Sequence, residues 1–401
     1  MRVRRWVRPV AVVVRRGMTW LDLLLGIILG VPMWVWSNYR PIQVQAIWGV
    51  RIGHLALDPE LFLSRRASSG LPLSKVWFFV EGPVCNAALL KKWRQVLKVG
   101  PAWLLGPIYR ASMRFHWLGL HPLDWSGVPS QFDFSCLDGT NPSWSFGDAE
   151  RAKGSALLWE LGVPEGRPYV CLAIRDGAYL RAVDTSRNWD YHDFRDSQIA
   201  DYELMADKLV ERGYAVIRMG RIMESAFGSA NPEVIDYASS PLRSDFADLW
   251  LFANCAFCIS TSTGMDALAS IQRRPIALVN IANSGSLSLG KGSKLVMFKE
   301  LVDVHTGAVL DLLDDRTSEV MAFPNSPLVT EMGLAFRDNS PTDLESFADE
   351  MIDVIEGRLQ LTVEQMAVER EFLARIPGPL DFTQADFHVS PSWLRSHSSV
   401  E

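Results

Sequence analysis

Along the chain, apolar and polar positions switch repeatedly between two periods. Compact apolar runs at 42–48, 76–80, 169–174, 214–218, 256–260 and 276–280 have the length and the flanking turn residues of buried strands. Between them stand stretches with apolar residues every three or four positions, at 55–66, 86–99, 149–161, 202–212 and 246–253. Strands alternating with helices predict an α/β fold with parallel pairing, because parallel neighbours need a crossover long enough to hold a helix. After His305 the pattern predicts helices, with capped amphipathic ones at 341–359 and 362–375, and a tail, SPSWLRSHSSVE.

The 401-residue length exceeds a single ordinary core, and the turn-rich stretch DGTNPSWSF followed by the linker GVPEGRP divides the α/β pattern in two. The expected organisation is a basic and apolar segment over 1–40, an N-terminal Rossmann-like domain over 41–162, a C-terminal Rossmann-like domain over 163–340, and helices with a tail over 341–401. A net charge of -6 argues against broad nucleic-acid binding. The charge is unevenly spread: residues 1–16 hold six Arg and no acid, and MTWLDLLLGIILGVPMWVW follows. That segment predicts membrane association, with a buried core helix the competing reading. It suits an interfacial or re-entrant helix on an anionic leaflet as well as a span, because about 20 apolar residues are needed to cross. The five cysteines are scattered in apolar contexts, so Cys255 and Cys258 read as core residues and not as metal ligands.

The chemistry concentrates where strands end, since in α/β domains ligands lie at the carboxyl ends of the strands. After the run 256–260, Ser260-Thr261-Ser262-Thr263-Gly264 opens a predicted helix carrying Asp266. Hydroxyls and unpaired first-turn N–H groups make such a turn an anion site, with phosphate its natural guest, and a plain N-cap is the competing reading. Arg175-Asp176-Gly177 follows another strand. A guanidinium there can chelate phosphate, and the carboxylate can orient it or meet a sugar hydroxyl. YHDFRDS, with Arg195, is a polar-rich loop downstream; Arg218 and Gly220 end the run 214–218; Arg243 and Ser244 precede a helix, where Ser244 serves equally as an N-cap. In the N-terminal half Arg51, Gly53 and His54 form the loop after the first strand, with His54 a candidate general base and an ordinary surface or satisfied loop histidine the competing reading. Asp-x-Asp is absent, as are the glycine-rich dinucleotide and P-loop patterns and the G-x-S-x-G elbow. These absences disfavour nicotinamide oxidoreductases, P-loop NTPases and nucleophile-elbow hydrolases, and they suit a diphosphate site built from arginines and amides without a metal.

The blocks CLAIRD, YHDFRDS, GYAVIRMG, RSDFADLW and CISTSTGMDA, with RIGHLALDPELFL and SPSWLR, resemble bacterial glycosyltransferases of surface-polysaccharide gene clusters. That group is in turn similar to two-domain GT-B enzymes such as heptosyltransferases. The resemblance implies two Rossmann-like domains facing a cleft, with donor diphosphate at Ser262-Thr263-Gly264 and Pro275 at the pattern's proline. Two positions depart from the heptosyltransferase pattern. Ala267 stands where it has His, which points away from heptose as the sugar, and Gly53-His54 stands where it has Gly-Asp, which keeps a base at that place. The expectation is a membrane-associated glycosyltransferase at the cytoplasmic face of the inner membrane. It would carry no metal or other cofactor and would move a sugar from a nucleotide-sugar to a lipid-linked or glycan acceptor. His54 and Asp176 would be catalytic, Arg51 and Gly53 would lie on the acceptor side, and Arg175, Arg195, Arg218, Gly220, Arg243, Ser244, Ser262, Thr263, Gly264 and Asp266 on the donor side. A sugar-nucleotide epimerase or hydrolase and a non-catalytic membrane-tethered assembly protein are the alternatives.

Overall fold

The computed structural model describes residues 20–37, 42–69, 75–120, 134–183, 190–290, 292–314, 316–322, 326–378 and 380–397. The arginine-rich run 1–16 lies outside these residues, as do the side chains of Tyr191 and His192 in the YHDFRDS loop. The chain forms two compact units, Met1–Pro129 and Ser130–Glu401.

In the first unit, β1 (Gln43–Trp48) and β2 (Val76–Glu81) pair in parallel with Gln43 opposite Val76. Helix α2 (Ile52–Ser69) makes the crossover, preceded by α1 (Trp20–Ser37) and followed by α3 (Ala87–Val96) and α4 (Ala102–Arg114). Val44, Ala46, Phe79, Leu105, Ile108, Ala111, Leu118 and Leu120 form its core, with Ile27, Val31 and Trp34 of α1 packed on it. Helices α1 and α4 approach so closely that a Cβ at Gly26 would lie 2.2 Å from the Pro107 carbonyl oxygen. Trp93 of α3 is fully buried, its indole N–H donating to the Leu55 carbonyl at 2.7 Å, so the polar tip of the largest core residue is satisfied. Among the described residues this unit has two strands, fewer than the Rossmann-like domain expected. No described helix is long and apolar enough to cross a membrane.

The second unit is a mixed α/β structure around a seven-stranded parallel sheet. Its strands are β3 (Tyr169–Ala173), β4 (Ala215–Arg218), β5 (Val234–Ile235), β6 (Phe257–Ser260), β7 (Ile276–Ile281), β8 (Ser293–Phe298) and, after a small antiparallel sheet of β9 (Glu300–Asp303), β10 (Val309–Leu310) and β11 (Leu334–Arg337), β12 (His388–Val389). The order is β12-β8-β7-β6-β3-β4-β5, every pair parallel. Counted in chain order, the first six strands run 3-2-1-4-5-6, the doubly wound arrangement. β3 and β7 are buried at every position and read accordingly as near-continuous apolar runs, as strands covered on both faces must. The helices are α5 (Asp148–Glu160), α6 (Ala178–Val183), α7 (Glu203–Glu211), α8 (Asp245–Asn254), α9 (Ala267–Ile271), α10 (Ser318–Ala322), α11 (Ser326–Glu331), α12 (Pro341–Ile355), α13 (Val363–Arg375) and α14 (Pro391–His397).

Two expectations change here. The boundary lies near residue 130 and not at 162, because the segment before β3 packs on this unit. Phe146 meets Trp250 edge-on with ring centroids 4.9 Å apart, and Arg273 donates to the carbonyls of Leu137, Thr140 and Asn141. Nor are residues 341–401 an appendage. Helix α12 packs on α7 and β8, β12 adds a strand to the main sheet, and the supposed tail forms α14, with Trp393 buried against Phe298 and Phe372. The carboxylate of Glu350 in α12 ties this end down, accepting from the Ser392 N–H at 2.8 Å and the Ser390 hydroxyl at 2.5 Å.

Candidate functional site

The chain builds β3, β4 and β5 outward in one direction, then returns to place β6 on the other side of β3. The carboxyl ends of β3 and β6 are therefore the topological switch point, the place where such sheets bind ligands. Ala173 pairs with Ser260 at that edge. The residues that follow are Arg175-Asp176 on one side and Thr261 to Gly264 on the other, the two segments with the strongest anion-binding character in the sequence.

Local chemistry ties the two loops together. Thr261 donates its N–H to the Ala173 carbonyl at 3.3 Å, and its hydroxyl oxygen accepts from the Arg175 N–H at 2.9 Å. Ser262 adopts a left-handed backbone with φ 57°, a conformation that costs a non-glycine residue about 1 kcal/mol or more and persists only where its surroundings hold it. Arg195 does so, donating from Nη2 to the Ser262 carbonyl at 2.7 Å. Thr263 then caps a short 3-10 turn, Gly264–Asp266, its hydroxyl accepting from the Met265 N–H at 3.3 Å. The helix behind it is only α9, five residues long, so its dipole contributes less than the sequence led us to expect. The N–H groups of Ser262 and Gly264 meet no acceptor among the described residues, and Gly264 is exposed. Backbone donors in that state call for a partner from solvent or a ligand.

Arg175 is held in the same network. Its Nε donates to Asp196 at 2.9 Å, the Arg175 carbonyl accepts from the Ser197 N–H at 2.9 Å, and the Asp196 carbonyl accepts from Lys299 Nζ at 2.7 Å. Lys299, nearly wholly buried, is balanced by Asp338 at 2.6 Å. Burial raises the pKa of Asp196, opposed by Arg175. Behind this layer Asn280, also left-handed at φ 51°, donates to Tyr202 Oη at 2.9 Å and accepts from the Asn339 N–H at 2.9 Å. Asp196, Lys299, Asp338 and Asn280 were not picked out as site residues. Asp196 lay in a loop noted for its polar density, but Lys299 and Asn280 border apolar runs and Asp338 follows a short strand, so none of the three carries a local signal.

Several expected ligand contacts are instead parts of the fold. Arg218 is fully buried, its Nη1 donating to the Ser225 carbonyl at 2.6 Å and facing Asp236 at 3.4 Å, while its Nε and Nη2 meet no acceptor among the described residues. Asp266 is also fully buried and accepts from the Ser260 hydroxyl at 3.1 Å, bracing the turn from within. Ser244 is the N-cap of α8, accepting from the Ala247 N–H at 3.2 Å. Arg243 lies 3.8 Å from Asp248, whose pKa burial pushes up to about 6 while Tyr237 donates to it at 2.7 Å. The space beside Gly220 is filled by Met223 and Ala238. Asp176 bridges two loops, accepting from the N–H groups of Ala178 at 3.1 Å and Glu224 at 3.0 Å, and its pKa is raised by burial. That leaves it a positioning group for the loop and not a free base.

His54 stands in the first turn of α2, in the first unit, beside Gly53 and the exposed Arg51. Its Nδ1 is 3.2 Å from Asp58 Oδ2 and its ring leans on Trp48, centroids 5.1 Å apart. A carboxylate at Nδ1 fixes the tautomer that presents Nε2 as proton acceptor, the orientation a histidine base requires. Asp58 went unnoticed in the sequence, although its i,i+4 spacing from His54 was there to read. Among the described residues no group of three His, Cys, Asp or Glu side chains is placed to hold a metal ion.

No protein-family model and no curated protein matches the chain. Among solved structures it is similar to E. coli ADP-heptose LPS heptosyltransferase II, at 15% identity and TM-score 0.41 over 64% of this chain and 90% of that one. It is also similar to the iron-containing dodecameric glycosyltransferase TibC from enterotoxigenic E. coli H10407, at 13% identity and TM-score 0.31 over 62% and 61% of the two chains. The complex of TibC, there called a heptosyltransferase, with ADP-D-beta-D-heptose matches at 12% identity and TM-score 0.33 over 80% and 77%. These likenesses are distant.

Proposed function

We propose that the chain is a GT-B-type glycosyltransferase whose second unit binds a nucleotide-sugar through its diphosphate. The observation that carries this is the convergence, at the β3–β6 switch point, of Arg175 with a left-handed Ser262 turn offering the Ser262 and Gly264 N–H groups. In glycosyl transfer negative charge grows on the departing diphosphate. Fixed backbone donors and a clamped guanidinium stabilise that charge without reorganising, a role that needs no metal. The first unit supplies the acceptor side: His54, oriented by Asp58, takes the proton of the attacking hydroxyl of a lipid-linked or glycan acceptor.

The test is a screen of UDP-, GDP-, ADP-, CMP- and dTDP-sugars for nucleotide release with and without polyisoprenyl-linked or glycan acceptors. Acceptor-dependent release is expected, and His54→Ala should lower it by about a hundredfold or more with donor affinity unchanged. Release independent of any acceptor would contradict transfer in favour of an epimerase or hydrolase. His54→Ala turning over at the wild-type rate would remove the histidine from its assigned role.

A further inference from the structure

The outward face of α1 runs against the rule for a water-facing helix. Trp20, Leu24, Leu25, Ile28, Pro32, Val35 and Trp36 form one exposed stripe at helical spacing, with no polar residue in it. Trp20 is 87% exposed, and Ile28 and Trp36 are each 59% exposed. The opposite face, through Gly26, Ile27, Val31 and Trp34, is occupied by α4 and the core of the first unit. Asp22, the helix's one charged residue, lies 3.6 Å from Arg110 of α4. Trp117, edge-on to Trp34 at 5.8 Å and itself 57% exposed, extends the apolar surface.

We infer that this stripe is a docking surface for an anionic lipid bilayer, with α1 lying in the interface plane. Three features select lipid over a protein partner. Tryptophan stands at both ends of the stripe, as aromatic residues do at the level of the headgroups. With one flank committed to α4 and the core of the first unit, α1 presents a single apolar face, as a helix lying in the interface does, where a spanning helix would meet lipid all round. The sixteen residues at the start of the sequence carry Arg2, Arg4, Arg5, Arg8, Arg15 and Arg16 without an acid, a charge complementary to anionic headgroups that precedes α1 in the chain by a few residues. The inference is independent of the donor-site reading.

Flotation of the full chain with phosphatidylcholine vesicles, with and without 30% phosphatidylglycerol as a stated composition, tests it. Binding to the anionic vesicles at least about tenfold stronger than to the neutral ones is expected. It should be lost in Leu24→Ser/Ile28→Ser/Trp36→Ser, whose substitutions touch exposed positions and should leave the melting transition in place. Arg2→Gln/Arg4→Gln/Arg5→Gln/Arg8→Gln should lose the anionic preference while the fold stays intact. Flotation with neither vesicle, or equal flotation of the apolar triple variant, would overturn the proposal. So would a dimer in sedimentation that the triple variant dissolves while no vesicle is bound, since the stripe would then be a contact between copies. Nucleotide affinity measured in the same variants should be unchanged, which separates failure of this surface from failure of the donor site.

Discussion

Both units set polar residues just beyond the end of a parallel strand, but they hold them in different ways. Past β3 and β6, Arg175, Thr261, Arg195 and Asp196 are joined by hydrogen bonds to one another or to the Ser262 turn, with Lys299 beneath them only 3% exposed. Past β1, Arg51 is exposed and the His54 side chain, 46% exposed, is steadied by Asp58 and the face of Trp48. A group that stabilises charge must be fixed before the charge develops, whereas a base must be accessible to a variable hydroxyl. The contrast between the clamped edge and the open histidine is what the proposed donor and acceptor roles would require.

Substitutions can break that comparison at graded cost. The largest effect should come from Arg218→Leu, which leaves Asp236 without its buried cation. Urea denaturation should show a loss of about 3–5 kcal/mol, with nucleotide affinity of the folded fraction unchanged. A stable variant with weakened nucleotide binding would instead return Arg218 to the ligand site. Asp248 comes next. Its folded-state pKa of about 6 lies above that of an unfolded aspartate, so folding is favoured while the group is protonated in both states and loses that advantage as pH rises from about 4 to about 6. Stability should fall across that window by up to about 3 kcal/mol, and Asp248→Asn should flatten the dependence; an unchanged pH profile in the variant would assign it to other groups. The smallest effect is expected at the turn itself. Ser262→Gly relieves the left-handed strain at some cost in unfolded-state entropy, so the thermal midpoint should move by no more than about 1 kcal/mol equivalent. A larger loss would mean that the Ser262 side chain holds the turn.

The strand-helix alternation made the parallel sheet of the second unit legible, because β3, β4, β6 and β7 are buried and read as near-continuous apolar runs. The last strands were not legible for a physical reason. The apolar part of β8 is only residues 295–298, bounded by Lys294 and Lys299, and β12 is two residues long, so neither stands out in the sequence and each takes its place from its neighbours. The two ends that make the site, Arg175 and the Ser262 turn, were visible as functional types in turn positions. Which arginine faces outward was not, since Arg175 and Arg218 each follow an apolar run and only tertiary packing buries the second. The Asn280 and Lys299 layer was illegible because its members come from segments far apart in the chain and meet only in the folded unit.

The central claim is that a nucleoside diphosphate binds at the β3–β6 edge through Arg175 and the Ser262 turn. Calorimetric titration of the wild type and Arg175→Ala with UDP, GDP, ADP, CDP and dTDP tests it directly. Saturable binding of at least one nucleotide is expected, weakened in Arg175→Ala by about tenfold to a hundredfold, the worth of a charge-assisted contact of about 1.5–3 kcal/mol. Binding of equal strength in both proteins, or no binding of any of the five, would contradict it.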